Sequence, residues 1–133
     1  MKPTVYNILN EHTLLKFLTK FYMRIRVHPV LGDIFIRHIG TDDDEWHQHI
    51  EHIATFWNAI FLKTKRFTGN PMQKHLAMDE LQSEHFDMWL EVFHQTAIET
   101  FDMPIAQQFI TMSNRISQSL QMGIRVHRGE GIR

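Results

Sequence analysis

Apolar residues recur three and four positions apart in four long stretches of this chain, and nowhere does strict apolar–polar alternation run long enough for a strand. Such spacing gathers the apolar side chains on one stripe of a helix. The expectation is therefore an all-α chain. The first helix should run from about Glu11 to Val27, with Leu14, Leu18, Phe21, Tyr22 and Ile25 on one face, and with Pro29 and Gly32 ending it. Ile34-Phe35-Ile36 is a short apolar segment before Gly40. Asp42 stands three before Glu45, the spacing of a capping box, at the head of a second helix from about Asp43 to Lys63. Gly69-Asn70-Pro71 signals a turn, and Pro71 can start a short helix through about Ala77. Ser83 reads as the N-cap of a third long helix carrying Phe86, Trp89, Leu90, Phe93, Ala97 and Phe101, which Asp102 and Pro104 break. A last helix, about Pro104 to Met122, presents Ile105, Phe109, Met112, Ile116 and Leu120, with Gly123 as its C-cap. This divides the chain into one domain over residues 1–123 and a flexible, basic C-terminal tail over 124–133. A bundle and a globin-like arrangement both fit, and periodicity does not separate them. The polar, Pro-containing stretch before the third long helix favours an irregular connection over tight bundle loops.

Composition narrows the functions. The 133 residues are about one domain's worth, and a net charge of −1 makes no electrostatic case for nucleic acid or an anionic membrane. With no cysteine there is no disulfide, no thiolate metal site and no thiol nucleophile. The longest unbroken apolar runs, such as Ala59-Ile60-Phe61-Leu62, are far short of the roughly 20 residues that span a bilayer. The first residues lack the continuous apolar core of a signal peptide, so a cytoplasmic location is expected. Walker A, G-x-S-x-G and G-x-G-x-x-G signatures are all missing. Ten Phe, three Trp and two Tyr give a small domain unusual aromatic bulk, which either packs tightly or wraps something flat.

Four polar side chains stand out. At about 100° per residue, Trp46, Ile53, Phe56, Trp57 and Ile60 share an arc roughly 100° wide, and His49 falls inside it near one edge. His47 falls on the opposite side, and His52 on the border. Tyr22 shares the first helix's apolar stripe with Leu18 and Ile25, and Trp89 shares the third's with Phe86 and Phe93. Each is readable as core packing, with its polar atom satisfied locally. Each also carries a hydrogen-bonding handle, and three such groups converging in an apolar pocket would suit a small polar ligand. His75 lies between Lys74 and Leu76 on the short segment after Pro71, where local context alone reads as surface. A haem ligand needs no paired-ligand spacing, so that position also suits one. The run Lys63-Thr64-Lys65-Arg66 reads as a solvated turn whose cations can also neutralise carboxylates.

Together these segments resemble the group III truncated haemoglobins. Phe21-Tyr22, Arg24-Ile25-Arg26 and Pro29-Val30-Leu31-Gly32-Asp33-Ile34-Phe35 look like that family's first helix and corner. Glu45-Trp46-His47-Gln48-His49 with Ile53 and Phe56-Trp57 looks like its distal helix. Gly69-Asn70-Pro71-Met72 leading to His75-Leu76 looks like its proximal segment. His85-Phe86-Asp87-Met88-Trp89-Leu90 matches the segment that brings a distal Trp, and Arg115-Ile116 with Ser119-Leu120 fits the last helix. The likeness runs from about residue 11 to 123, and the glycine-pair motifs of the other truncated groups are missing.

The resemblance implies a shortened globin fold enclosing one haem b, with His75 as the proximal iron (metal) ligand. It places Tyr22, His49 and Trp89 beside the bound gas, and Phe35, Ile53, Phe56, Trp57, Leu76 and Phe93 on the haem wall. The implied partners are dioxygen or another diatomic ligand, with an external electron donor if the chemistry is redox. Tyr22 and Trp89 as donors would slow release of the gas, which suits oxygen, nitric oxide or peroxide redox chemistry better than oxygen delivery; whether the chain is an enzyme stays open. Two readings from other classes stand beside it. One is a cofactor-free helical interaction module whose aromatics are only core. The other is a non-haem metal protein using His47, His49, His52 and Glu51.

Overall fold

The computed structural model describes residues 5–64 and 67–129. Six helices follow in order: α1 (Glu11–Arg26), α2 (Leu31–Ile39), α3 (Asp43–Phe61), α4 (Pro71–Leu76), α5 (Ser83–Thr100) and α6 (Met103–His127). Among the described residues the only β contact is an isolated bridge between Tyr6 and Phe101. No helix among them is long and apolar enough to cross a membrane. Of the Lys63–Arg66 run, Lys65 and Arg66 lie outside the described residues, as do Glu130–Arg133 of the tail.

Local chemistry accounts for most of the helix ends. Asn10 accepts from the Thr13 amide at 2.9 Å while Thr13 Oγ1 accepts from the Asn10 amide at 3.0 Å, a reciprocal cap that starts α1. Glu45 accepts from the Asp42 amide at 3.3 Å at the start of α3, as its spacing predicts. Asp102 accepts from the Ile105 amide at the start of α6.

Three ends differ from the sequence reading. The segment around Ile34-Phe35-Ile36 is a nine-residue helix, α2, too short for its periodicity to show. It leaves α1 at a tight corner, where a Cβ on Gly32 would stand 2.8 Å from the Arg26 carbonyl oxygen. The N-cap of α5 is Gln82, one residue before Ser83, and its amide donates to His85 Nδ1 at 3.0 Å. Gly123 does not stop α6. Its backbone stays helical, and Ile124 beyond it is buried. Gly123 instead makes room for Met72, whose Sδ would lie 2.4 Å from a Cβ there. The glycine with the left-handed backbone that ends such a helix is Gly129, at φ 75°. Residues 124–127 are thus helix rather than frayed tail.

Helix α1 packs on α2, α3 and α5, and α5 packs on α6. Their shared centre is aromatic. Phe17 is fully buried, with ring centroids 5.0 Å from Phe93, 4.8 Å from Phe109 and 5.7 Å from Phe101. The Arg24 guanidinium ties α1 to α5, donating to Glu99 at 2.7 Å and Thr96 at 3.0 Å. Arg26 ties α1 to the start of α3, donating to Asp43 at 2.7 Å while its guanidinium lies 5.1 Å above the Trp46 ring. A second, smaller apolar cluster joins Ile34, Leu81, Phe86 and Ile124, with Leu76, Met78 and Leu120 against it. The backbone of α4 comes close only to that of α6 among the helices, while its side chains also meet Phe86 of α5.

Phe17→Ala removes the ring that α1 places against α5 and α6, so it should cost about 3–5 kcal/mol in unfolding free energy. Leu15→Ala, on the exposed face of the same helix, should stay within about 0.5 kcal/mol. Urea unfolding followed by circular dichroism measures both.

Candidate functional site

Beside the aromatic centre the helices leave a cavity of about 300 Å³, whose wall is drawn from α1 to α6 and from the connection between α3 and α4. The wall is mostly apolar. Phe35 (α2), Ile53, Phe56 and Trp57 (α3) contribute to it, as the sequence reading expects. Phe93 and Leu76 do not reach it. Phe93 is fully buried behind the wall, with Trp89 stacked on it at 4.6 Å and Trp57 at 5.3 Å. Leu76 turns toward the second apolar cluster. Residues that periodicity did not single out as cavity wall are Ile34, Met78, Phe86, Ile116 and Leu120. Three of them, Phe86, Ile116 and Leu120, sit on stripes already visible in the sequence; only the side of the helix facing the gap was not.

Tyr22, His49, Trp89 and His75 all line this one cavity. Tyr22 comes from α1 and is 5% exposed, with its ring edge-on to His49 at 5.0 Å and to Phe21 at 4.9 Å. Burial pushes its phenol well above the usual range, so the hydroxyl keeps its proton and can donate. Trp89 comes from α5, held between Phe93 and an edge contact with Phe21 at 5.3 Å. Among the described residues, neither the Tyr22 hydroxyl nor the Trp89 indole N–H has a hydrogen-bond partner.

His49 is the most unusual group. Its Nε2 is buried and makes no hydrogen bond. Burial lowers its pKa to about 4, and repulsion from His52 and Lys74 adds to the effect. It is therefore a neutral imidazole in a mostly apolar wall. An unpartnered buried polar atom lowers stability by about 1–3 kcal/mol, which a purely structural side chain would avoid.

His75 sits on α4. Asn70 caps that helix, accepting from the Gln73 amide at 3.1 Å, and Pro71 fills its first position. His75 Nδ1 lies 2.6 Å from the Pro71 carbonyl oxygen. A carbonyl oxygen only accepts, so Nδ1 carries the proton and Nε2 keeps a free lone pair. A single oriented imidazole of this kind can bind a metal, and the carbonyl behind it fixes both tautomer and ring orientation.

The helix-surface metal reading does not gather. His47 pairs with Glu51 at 3.0 Å on the outer face of α3, while His49 faces the cavity. Among the described residues no three His, Asp or Glu come together to hold a metal ion. The aromatics are not all core either, since Phe56 and Trp89 are only half-buried and form cavity wall.

No family model matches the chain. A protein of Campylobacter jejuni described as "Group 3 truncated hemoglobin ctb" is 28% identical to it over 116 residues, covering 87% of this chain and 91% of that protein. The crystal structure of the group III truncated hemoglobin from Campylobacter jejuni matches the fold with a TM-score of 0.88 at 26% identity, covering 91% of this chain and 95% of that one. Both bear out the resemblance read from the sequence and the shortened globin fold.

Because His49 binds protons less readily folded than unfolded, stability should rise with pH between about 4 and 6.5. Acidification through that window should remove up to about 3 kcal/mol. His49→Leu should flatten this part of the profile and leave the haem-free chain at least as stable at pH 7. Denaturant unfolding of the haem-free chain across pH tests both.

Proposed function

We propose that this chain, by sequence likeness and fold a group III truncated haemoglobin, holds one haem b in the cavity and binds dioxygen or another diatomic gas there. What supports the reading is one juxtaposition: an oriented His75 and an unpartnered, buried His49 Nε2 line the same apolar cavity. The residues present fit the group. Haem needs one strong protein ligand and an apolar slot, and when bound it would supply an iron able to take up a gas and to change oxidation state.

In this reading His75 Nε2 is the iron ligand. The Pro71 carbonyl accepts from the opposite ring nitrogen, which orients the imidazole and turns the Nε2 lone pair toward the cavity as a ligand. Phe35, Ile53, Phe56 and Trp57 exclude water and keep the dielectric low, so each polar contact inside counts for more than it would in solvent. Tyr22 and Trp89 donate hydrogen bonds to the gas, and the edge contact with His49 helps hold the Tyr22 ring in place. His49, neutral at pH 7, has Nε2 available to donate or accept. Two donors in such a setting contribute on the order of 1–3 kcal/mol each and slow release accordingly. The site therefore suits redox chemistry on oxygen, nitric oxide or peroxide better than delivery of oxygen, with electrons from an external donor.

The first test is a visible spectrum of the purified chain, oxidised, reduced, and reduced under carbon monoxide. A Soret band that shifts with carbon monoxide is expected, and its loss in His75→Ala. If hemin added to the folded wild-type chain produced no Soret band, the reading would be wrong. The second test is oxygen release by stopped flow. Tyr22→Phe with Trp89→Phe should release oxygen on the order of 100-fold faster or more, at about tenfold per 1.4 kcal/mol. Unchanged off-rates would remove the two donors from the mechanism.

A further inference from the structure

The helix that carries His75 is poorly secured by itself. At six residues, α4 is far shorter than a helix that holds its own shape in water. Its backbone approaches that of α6 alone among the helices, and the His75 ring also lies 6.3 Å from Phe86 of α5, so the grip at α6 is a main determinant of where His75 stands. Two grips come from the C-terminal end of α6: Gly123, the last residue of the domain read from the sequence, and Arg128, the C-cap five residues beyond it. On one side of His75, the Met72 side chain lies in the space that a Cβ on Gly123 would fill. On the other, the Arg128 guanidinium reaches the chain just after α4. Its Nη1 donates to the Leu81 carbonyl at 2.7 Å, and its Nη2 reaches the carbonyls of Met78 and Asp79 at 3.2 Å each. The Met78 amide in turn donates to the His75 carbonyl at 3.1 Å. Ile124, buried against Leu81 and Phe86, fixes the end of α6 from which Arg128 extends.

We propose that Arg128 is a positioning residue for His75: its fork of N–H donors holds the 78–81 segment, and through the Met78–His75 hydrogen bond it holds the imidazole at the cavity. This rests on the haem reading above. Three carbonyls that would otherwise need water are satisfied by one planar cation, a geometry that lysine cannot reproduce. Arg125, one turn earlier and exposed, carries the same charge and makes no such contact, so it serves as the control.

The experiment compares wild type, Arg128→Ala, Arg128→Lys and Arg125→Ala as full chains, loaded with hemin. Three quantities are read: the rate at which hemin passes to excess apomyoglobin, the iron–histidine stretching band of the reduced form, and amide hydrogen exchange over residues 72–82. Arg128→Ala should lose hemin about tenfold faster, as expected for losing hydrogen bonds to a charged group. It should also broaden or shift the iron–histidine band and speed exchange over 72–82, with α1 exchange unchanged. Arg128→Lys should recover only part of each effect, and Arg125→Ala should match wild type. Faster exchange with an unchanged hemin rate and iron–histidine band would overturn the proposal while leaving the haem reading intact. So would unchanged exchange in Arg128→Ala, or equal effects from Arg125→Ala. A wild-type chain that takes up no hemin would overturn the haem reading itself, and the role of Arg128 with it. In that case exchange in the hemin-free chain would still show whether Arg128 holds the segment.

Discussion

The packing of Phe17 against Phe93 and Phe109 is the contact on which the rest depends. It joins α1, α5 and α6 at one point, and α3 is drawn in by Trp57, whose ring stacks on Phe93. Stacking also passes outward. Trp89 lies flat on Phe93, and Trp57 and Trp89 are both cavity wall. One side of the aromatic centre is thus the back of the functional site. A shift of Phe93 would move an indole donor and a wall residue together.

The cavity sets two demands against each other. An apolar lining favours burial of something flat and greasy, while Tyr22, Trp89 and His49 bring polar atoms to it, and the buried His49 Nε2 has no partner. The protein tolerates this because each ring is braced on its faces and edges by other rings, so only the polar tip lacks a contact. His49 is the clearest instance, with a neutral imidazole kept mainly by burial, to which repulsion from His52 and Lys74 adds. At that residue the fold gives up stability to keep a polar atom at the cavity.

Much of this was legible in the chain itself, for reasons that differ by residue. Tyr22, His49 and Trp89 lie on long amphipathic helices, where a 3.6-residue period fixes the inward direction, and all three face the cavity. His75 was not legible from its neighbours, because a six-residue helix has no stripe to read; only the family likeness singled it out. Phe93 shares a stripe with Trp89, yet one turn further along that stripe runs into the core, and periodicity gives direction without depth. Gly123 was misread because a glycine after the last apolar position looks like a stop. The constraint is a neighbour 51 positions away, Met72, which no local pattern reveals. The same blindness to distant contacts hid Arg128, whose carbonyl partners lie 47 to 50 positions earlier.

The two apolar clusters also imply an order of events. The larger one, centred on Phe17, is closed by side chains of α1, α2, α3, α5 and α6, and takes nothing from α4. The smaller one, with Leu76 and Met78, is gathered between the end of α6, Ile34 of α2 and Phe86 of α5. The chain can therefore settle its main body without α4. The segment that carries His75 is then the last piece to be seated, and its seating waits on the final turns of α6.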